Sequence, residues 1–188
     1  MHTGHIDLVW SRPFGFSDFV TIPEKLKDFM SAGIYLWVEE HPDGEQLSYV
    51  GKATGKPDLI QRHQQHYSNY IGGRYTIPAR FRSVENDWIP GQYPSNSNIV
   101  LDVERFVALV REAFEYTKHI KIYLAPKPGL NGQQLAVIER NLLYDLTPMG
   151  TIPGTKSEPK NRIKIIHKHA TWCSEDVRRH IRNQPMIV

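Results

Sequence analysis

Hydrophobic residues gather in three short stretches of the chain that predict β-strands. GIYLWVE (33–39) and LSYVGKA (47–53) are rich in β-branched and aromatic residues, and the sequence between them, HPDGEQ, is typical of a turn. These two stretches are therefore expected to form an antiparallel hairpin. A third strand is predicted at IKIYLAP (120–126).

Around these strands, apolar residues recur at the spacing of amphipathic helices. Side chains suited to helix capping stand at three of the starts: Thr21, which can form a capping box with Glu24, and then Asp58 and Ser174. The predicted helices are 21–30, 58–71, 101–119, 131–148 and 174–183, and 162–169 is predicted as a short strand. Phe114 is expected on the buried side of the third helix.

The order of these elements predicts an α+β fold, in which a small three-stranded antiparallel sheet is flanked by helices. We expect one domain over 1–188, with its core at about 31–150. Residues 72–100 are rich in Pro, Gly, Asn and Ser and predict a long insertion, a kind of segment that is often functional. Residues 159–188 form a basic C-terminal extension.

The composition is that of an ordinary globular protein, with 40% hydrophobic and 23% charged residues. No apolar run approaches the roughly 18 residues needed to span a bilayer, so no membrane association is expected. The first residues lack the basic and apolar pattern of a signal peptide. A single cysteine, Cys173, excludes an internal disulfide and fits a cytoplasmic protein.

The charge is mildly positive, with a formal net charge of +3 and a pI of about 8.9. This balance permits a polyanionic partner without demanding one. Basic residues concentrate in two segments, at Arg74, Arg80, Arg82, Lys160, Arg162, Lys164 and Lys168. Taken alone, they favour a solvated basic face over a binding surface. His167 and His169 alternate, so on a strand they would share one face and could contact phosphate.

Several polar residues occupy positions that the predicted elements could bring together. Tyr35 and Tyr49 lie on the two strands of the hairpin, and Lys52 follows the second tyrosine. Arg62 and His66 are four residues apart and share one helix face. Glu139 lies among apolar neighbours in the middle of a helix, and a buried carboxylate needs a divalent cation or a basic residue as partner.

Each of these residues also has a plainer interpretation. The tyrosines could be core aromatics, and Arg62 with His66 could be an exposed helix pair. Glu139 could form a salt bridge with Lys121 or with neighbours of Arg140. A zinc site that combines His63 and His66 with His167 and His169 is a further alternative, although no cysteine or carboxylate set completes it.

In combination, the residues resemble the GIY-YIG endonucleases. The matching motifs are GIY at 33–35, YVGK at 49–52, Arg62 and His66 in the following helix, and Glu139 in a helix after the third strand. The resemblance covers roughly 33–148. The long insertion is similar to that of restriction-enzyme-like members. Thr151 stands near the place of the family's distal Asn, and the first fitting Asn is Asn161.

The resemblance implies a DNA endonuclease that hydrolyses phosphodiester bonds with Mg²⁺, for which Mn²⁺ can substitute. Glu139 is then the metal ligand, and Arg62 stabilises charge on the phosphate. Either tyrosine can be the base while the other positions water; we favour Tyr35 as the base and Tyr49 as the positioning residue. Lys52 and His66 complete the catalytic set, and Asn161 joins the basic residues at the DNA. A monomer or homodimer of restriction type is expected, the alternatives being a mobile-element or repair nuclease and a catalytically inactive DNA-binding module.

Overall fold

A computed structural model describes residues 5–21, 24–42, 44–72, 74–75, 103–148 and 157–188. Its elements in chain order are β1 (His5–Val9), α1 (Asp18–Thr21), a 3₁₀ helix (Glu24–Phe29), β2 (Gly33–His41), β3 (Gly44–Ala53), α2 (Leu59–Ile71), α3 (Val103–Lys118), β4 (Ile120–Pro126), α4 (Gly132–Leu146), β5 (Lys164–Lys168), α5 (Glu175–His180) and β6 (Met186–Ile187). Most of the predicted insertion, with Arg80 and Arg82, lies outside these residues, as does Thr151.

The central sheet has the order β3-β2-β4 with antiparallel pairing throughout, so the predicted three-stranded antiparallel sheet is confirmed. The middle strand, β2, places Tyr35 opposite Gly51 of β3, and Trp37 opposite Tyr49. Every residue of β2 from Gly33 to Glu39 is buried. This continuous burial shows that β2 is covered on both faces, as expected for the central strand of a sheet packed between helices.

Side chains of β2 alternate between two hydrophobic cores, one on each face of the sheet. Ile34, Leu36 and Val38 belong to the core that contains the apolar face of α4. Tyr35 and Trp37 belong to the other core, which contains Phe16, Phe19, Leu59 and Ile60. The side of β2 that carries Tyr35 therefore faces α2, the helix that bears Arg62 and His66.

A second sheet, which the sequence analysis did not predict, joins the two ends of the described chain. It has the order β1-β5-β6 with parallel pairing, and His5 of β1 lies opposite Lys164 of β5. The indole of Trp10 donates a hydrogen bond to Nδ1 of His167 over 3.1 Å. His167 is buried, and β5 ends before His169, which has a φ of 55°. The expectation that His167 and His169 share a phosphate-binding face is therefore wrong.

The predicted helix caps have mixed outcomes. Asp58 caps α2 in a capping box with Gln61, and Ser174 caps α5, as predicted. The helix predicted over 21–30 is wrong, because α1 ends at Thr21 and a 3₁₀ helix follows from Glu24.

Two further helix expectations also need correction. Phe114 of α3 is 43% exposed and does not lie in the core, and α5 ends at His180 rather than near 183. Among the residues that the structure describes, no helix is both long enough and apolar enough to cross a membrane.

Candidate active site

An open cleft of about 230 Å³ lies where β2, β3, α2 and α4 meet. It brings together five of the six predicted catalytic residues from four separate elements. Its lining residues are Tyr35, Tyr49, Lys52, Ala53, Thr54, Pro57, Arg62 and Glu139. The sixth predicted residue, His66, lies behind Tyr35 in the core. Thr54 and Pro57 belong to no sequence motif, so their place at the cleft could not be predicted.

The two phenol rings stack at this cleft. The ring centroids of Tyr35 and Tyr49 are 5.9 Å apart with an interplanar angle of 24°. Gly51 makes this arrangement possible, because a Cβ atom there would lie 2.4 Å from the Cζ and hydroxyl oxygen of Tyr35. The glycine of the YVG motif is therefore required by the close approach of the Tyr35 ring, not by an unusual backbone angle.

His66 joins two phenols through its two ring nitrogens. The Tyr35 hydroxyl lies 2.8 Å from Nε2, and the Tyr75 hydroxyl lies 2.9 Å from Nδ1. His66 is buried, and this burial lowers its pKa to about 3, with smaller contributions from His63 and Arg62. The imidazole is thus neutral at physiological pH. The sequence analysis missed Tyr75, which follows α2 at the start of the predicted insertion and belongs to no motif.

Burial also dominates the chemistry of the tyrosines. It raises the pKa of Tyr35 well above 10, more than the nearby Arg62 guanidinium lowers it. Burial raises the pKa of Tyr49 as well, and hydrogen bonding to Tyr35 opposes this effect. Both phenols are therefore protonated at neutral pH in the free protein.

Arg62 presents an incompletely satisfied guanidinium to the cleft. One terminal nitrogen donates to Gln65 over 3.4 Å. The buried Nε has no hydrogen-bond partner among the described residues. A buried donor without a partner is costly, but this Nε is enclosed by the protein. The terminal nitrogens are the part of the guanidinium that a phosphate in the cleft could contact.

The carboxylate of Glu139 is paired with the ammonium of Lys52. Their side chains are 19% and 29% exposed, respectively, so the pair is largely shielded from solvent. The alternative partner Lys121 instead contacts Glu40 and Glu45. The interpretation that Glu139 pairs with Lys121 is therefore wrong, and its partner comes from β3.

The donor set at Glu139 fits one kind of metal site. No group of three or more His, Cys, Asp or Glu side chains that could hold a metal occurs in the described ranges. Mg²⁺, however, keeps several waters and commonly uses one or two carboxylates together with substrate phosphates. Glu139 at the cleft therefore fits a hydrated ion shared with a phosphate substrate, and does not fit a cage made of protein ligands alone.

The zinc alternative does not hold. His63 is fully buried, accepts a hydrogen bond from the Trp37 indole at Nε2 over 3.2 Å, and has Nδ1 2.7 Å from the carbonyl oxygen of Leu59. Both of its ring nitrogens are occupied, and burial lowers its pKa to about 4. His167 belongs to the core of the second sheet, so the four histidines do not form one site.

The predicted DNA-binding residues differ in how free their side chains are. Arg74, Lys160, Asn161 and Lys164 are exposed. Arg162 forms an ion pair with Asp145 at 2.9 Å and also donates to Asn141, while Lys168 pairs with Asp7 at 2.6 Å. These last two cations are already partly neutralised within the protein.

Asn141 is a buried polar residue that the sequence analysis overlooked. Its amide nitrogen donates to the main-chain oxygen of Asn161 over 3.0 Å, and its oxygen accepts from Arg162 and from the backbone of Ile163. It thereby fixes the start of the basic extension against α4. No periodicity distinguishes it from a solvated asparagine.

The cleft therefore owes its composition to the fold, since α4 brings Glu139 from far along the chain to residues of the consecutive elements β2, β3 and α2. Lys52 and Glu139, for example, are 87 positions apart. In comparisons with known proteins, no family model, curated protein or solved structure matches this chain.

Proposed function

We propose that this protein is a DNA endonuclease of the GIY-YIG type, which hydrolyses phosphodiester bonds with the help of a divalent metal ion. The observation that carries the proposal is the meeting of two phenols, a guanidinium and a carboxylate-ammonium pair in one open cleft. In a reaction on a phosphodiester, a phenol can act as the base, the guanidinium can stabilise negative charge and the carboxylate can bind a metal ion. A cytoplasmic restriction-type enzyme, monomeric or homodimeric, is the form we favour.

Arg62 stabilises the negative charge that develops on the phosphate. It lines the cleft, and its planar guanidinium can donate two parallel hydrogen bonds to non-bridging oxygens. Because the charge on these oxygens grows toward the transition state, such donors favour the transition state over bound substrate.

Tyr35 removes a proton from the attacking water, and Tyr49 orients that water. A free tyrosine costs about 4 kcal/mol to ionise at pH 7, and burial of Tyr35 increases the cost. The phenol therefore passes its own proton to Nε2 of His66 as it takes one from water, instead of ionising beforehand. The stacked ring of Tyr49 defines the other wall of the water site.

Glu139 is the residue that would hold the metal, Mg²⁺ or Mn²⁺ in its place. When bound, such an ion supplies positive charge that neutralises the leaving oxygen. Lys52 balances the carboxylate charge of Glu139 in the free protein. A phosphate that enters the cleft can attract the Lys52 ammonium, and the Glu139 carboxylate is then free to bind the metal ion.

DNA is the proposed polymer substrate because exposed cations occur outside the cleft as well. Lys160 and Lys164 on the C-terminal extension and Arg74 after α2 are available for phosphate contacts. The same cleft would serve a mobile-element or repair nuclease, and a binding module that has lost catalysis would retain only these outer contacts.

The test is plasmid cleavage with Mg²⁺ against EDTA, comparing wild type with Glu139→Gln. Glu115→Gln, a change on the surface of α3, is the matched control. We expect cleavage by wild type and the control with Mg²⁺ only, and a loss of at least about 10²-fold in Glu139→Gln with DNA binding retained. Mapping the ends produced on a long DNA separates a site-specific enzyme from a structure-specific one. DNA binding without cleavage by wild type would show an inactive module instead.

A further inference from the structure

The proposed reaction leaves the proton that Tyr35 gives up on a residue that is poorly suited to hold it. Burial of His66 disfavours the imidazolium, so His66 cannot store a second proton at neutral pH. A proton that arrives at Nε2 must therefore leave the ring from Nδ1 at nearly the same time. The hydroxyl of Tyr75 is 2.9 Å from Nδ1.

We propose that Tyr35, His66 and Tyr75 form a proton relay that carries the proton of the attacking water from the cleft to Tyr75, just beyond the end of α2. The relay rests on the proposed nuclease function and adds Tyr75 to it. Tyr75 acts through His66 and does not touch the substrate, so it is a positioning residue that fixes the tautomer of His66 and takes over the relayed proton.

The geometry supports each transfer. The Tyr35 hydroxyl lies 2.8 Å from Nε2, and both distances are those of good hydrogen bonds. Tyr35 is fully buried and lines the wall of the cleft, whereas Tyr75 is only half-buried. The relay thus runs from an enclosed phenol to a more accessible one.

The protons balance as follows. Before the reaction, the Tyr35 hydroxyl donates to Nε2, and His66 carries its proton on Nδ1 and donates to the Tyr75 oxygen. As the water O–H bond breaks, its proton bonds to the Tyr35 oxygen, the Tyr35 proton moves to Nε2, and the Nδ1 proton moves to the Tyr75 oxygen. The original Tyr75 hydroxyl proton passes to solvent or buffer. Hydroxide is left in the cleft and every relay residue ends neutral. The first tautomer is restored by the reverse shift, in which solvent gives a proton to Tyr75, Tyr75 gives one to Nδ1, Nε2 gives one to Tyr35, and Tyr35 gives its hydroxyl proton to the leaving oxygen.

Other titratable groups face His66 and define its surroundings. They come from the neighbouring strands, from α2 itself and from the residues after it: Tyr35, Tyr49, Arg62, His63 and Tyr75. None of them is a carboxylate. The phenols are consequently the groups through which a proton can enter or leave the ring.

The test compares wild type with Tyr75→Phe, with Tyr67→Phe as the matched control. Tyr67 belongs to α2, and its ring stacks on Phe16. In single-turnover cleavage with Mg²⁺, we expect Tyr75→Phe to be slower by about 10²-fold and Tyr67→Phe to match wild type. DNA affinity should be the same in all three proteins.

Two readouts separate a relay from a merely structural hydroxyl. Nitrogen-15 NMR should show the Nδ1–H tautomer of His66 in wild type and loss of that preference in Tyr75→Phe. A small imidazole buffer should raise the cleavage rate of Tyr75→Phe in proportion to its concentration, because it can accept the proton from Nδ1, and should leave wild type unchanged.

The possible failures are distinguishable. Tyr75→Phe cleaving at the wild-type rate overturns the relay and leaves the nuclease proposal standing. A slow Tyr75→Phe enzyme that buffer does not rescue, with the His66 tautomer unchanged, also overturns the relay. Wild type that cleaves no DNA overturns the nuclease proposal, and the catalytic role of the relay with it.

Discussion

Lys52 on β3 and Glu139 on α4 form an ion pair at the cleft. The carboxylate that we propose as the metal ligand therefore already has a cation beside it in the free protein. Metal and Lys52 must compete for the same oxygens, and phosphate can shift that competition by offering the ammonium another anion. Substrate and metal are thereby expected to bind with positive coupling.

Replacing Lys52 with Met should strengthen metal binding in the absence of DNA. Removing a competing ammonium from a partly exposed pair is worth about 1 kcal/mol, or about fivefold in affinity. Mn²⁺ binding followed by electron paramagnetic resonance measures this directly. Cleavage should nevertheless become slower, because the cleft loses a positive charge. Lys118→Met, on the surface of α3, should leave Mn²⁺ affinity unchanged, and weaker binding in Lys52→Met would contradict the competition.

Arg62→Lys should be far from a conservative change. An ammonium cannot reproduce two parallel hydrogen bonds to phosphate oxygens, so we expect cleavage to fall by about 10²-fold while DNA affinity changes little. Arg140→Lys, an exposed change on α4, is the control. Equal rates for Arg62→Lys and wild type would show that only the charge at position 62 matters.

Tyr35→Phe should reduce cleavage more than Tyr49→Phe, because Tyr35, unlike Tyr49, belongs to the proton relay that we propose. Its stability should also fall by about 1–2 kcal/mol, since Nε2 of His66 loses its partner. Burial raises the pKa values of both phenols, so both stay protonated near neutral pH. The pH acts where the relay releases its proton to solvent, a transfer that becomes easier as the pH rises.

The pH dependence therefore distinguishes the two tyrosines. The cleavage rate of Tyr49→Phe should still rise between pH 7 and 9, while that of Tyr35→Phe should rise less. Single-turnover rates across this range provide the measurement. If the rate of Tyr49→Phe rises less with pH than that of Tyr35→Phe, Tyr49 is the base and Tyr35 orients the water. Normal cleavage by both variants would show that the hairpin has only a structural role.

The salt dependence of DNA binding should identify the phosphate contacts. Replacing exposed Lys160 and Lys164 with Ala should flatten the slope of log affinity against log salt by about 1–2 units. Lys168→Ala should have a smaller effect, because Asp7 already neutralises Lys168. Fluorescence anisotropy with a labelled duplex gives the slopes. If the double variant retains the wild-type slope, the extension is only a solvated basic face.

Mild acid should destabilise the protein through its buried histidines. Burial lowers the pKa values of His63 and His167 to about 4 and that of His66 to about 3, against about 6.5 in an unfolded chain. Below about pH 6.5 the unfolded state thus binds more protons than the folded state, so stability is lost as the pH falls. Each histidine contributes up to about 1.4 kcal/mol per pH unit.

Urea unfolding between pH 7 and 5.5 measures this slope before most carboxylates titrate. His167→Gln should reduce the slope by about a third, whereas His180→Gln, an exposed change, should not alter it. An unchanged slope in His167→Gln would remove that residue from the effect, and NMR titration of the remaining histidines would then show which of them carries it.

The sequence predicted the central hairpin because its signals are local. A turn with Gly44 separates two β-rich stretches. The strand pattern therefore predicted that Tyr35 and Tyr49 lie on adjacent strands. Arg62 and His66 were placed on one face by helix geometry alone. For Glu139, the sequence predicted only that its carboxylate needs a partner. Whether that partner is Lys52 or Lys121 depends on how α4 crosses the sheet.

The features that the sequence did not predict depend on long-range packing. β5 was predicted as the short strand at 162–169, but β1 has only five residues and pairs with a strand far along the chain, so no neighbouring turn marked β1 or the pairing. His167 could not be recognised as buried without its contacts to Trp10 and Trp172. Tyr75 acquires its place only because α2 ends beside it.

The pairing of β1 with β5 constrains the order in which the chain can fold during its synthesis. Trp10 and its hydrogen-bond acceptor His167 are 157 positions apart. Residues of β1 leave the ribosome long before their partners on β5, so the second sheet cannot close until β5 has been synthesised. Until then the strand containing Leu8 keeps an unpaired edge, and a chaperone that shields this stretch during translation would raise the yield of native protein.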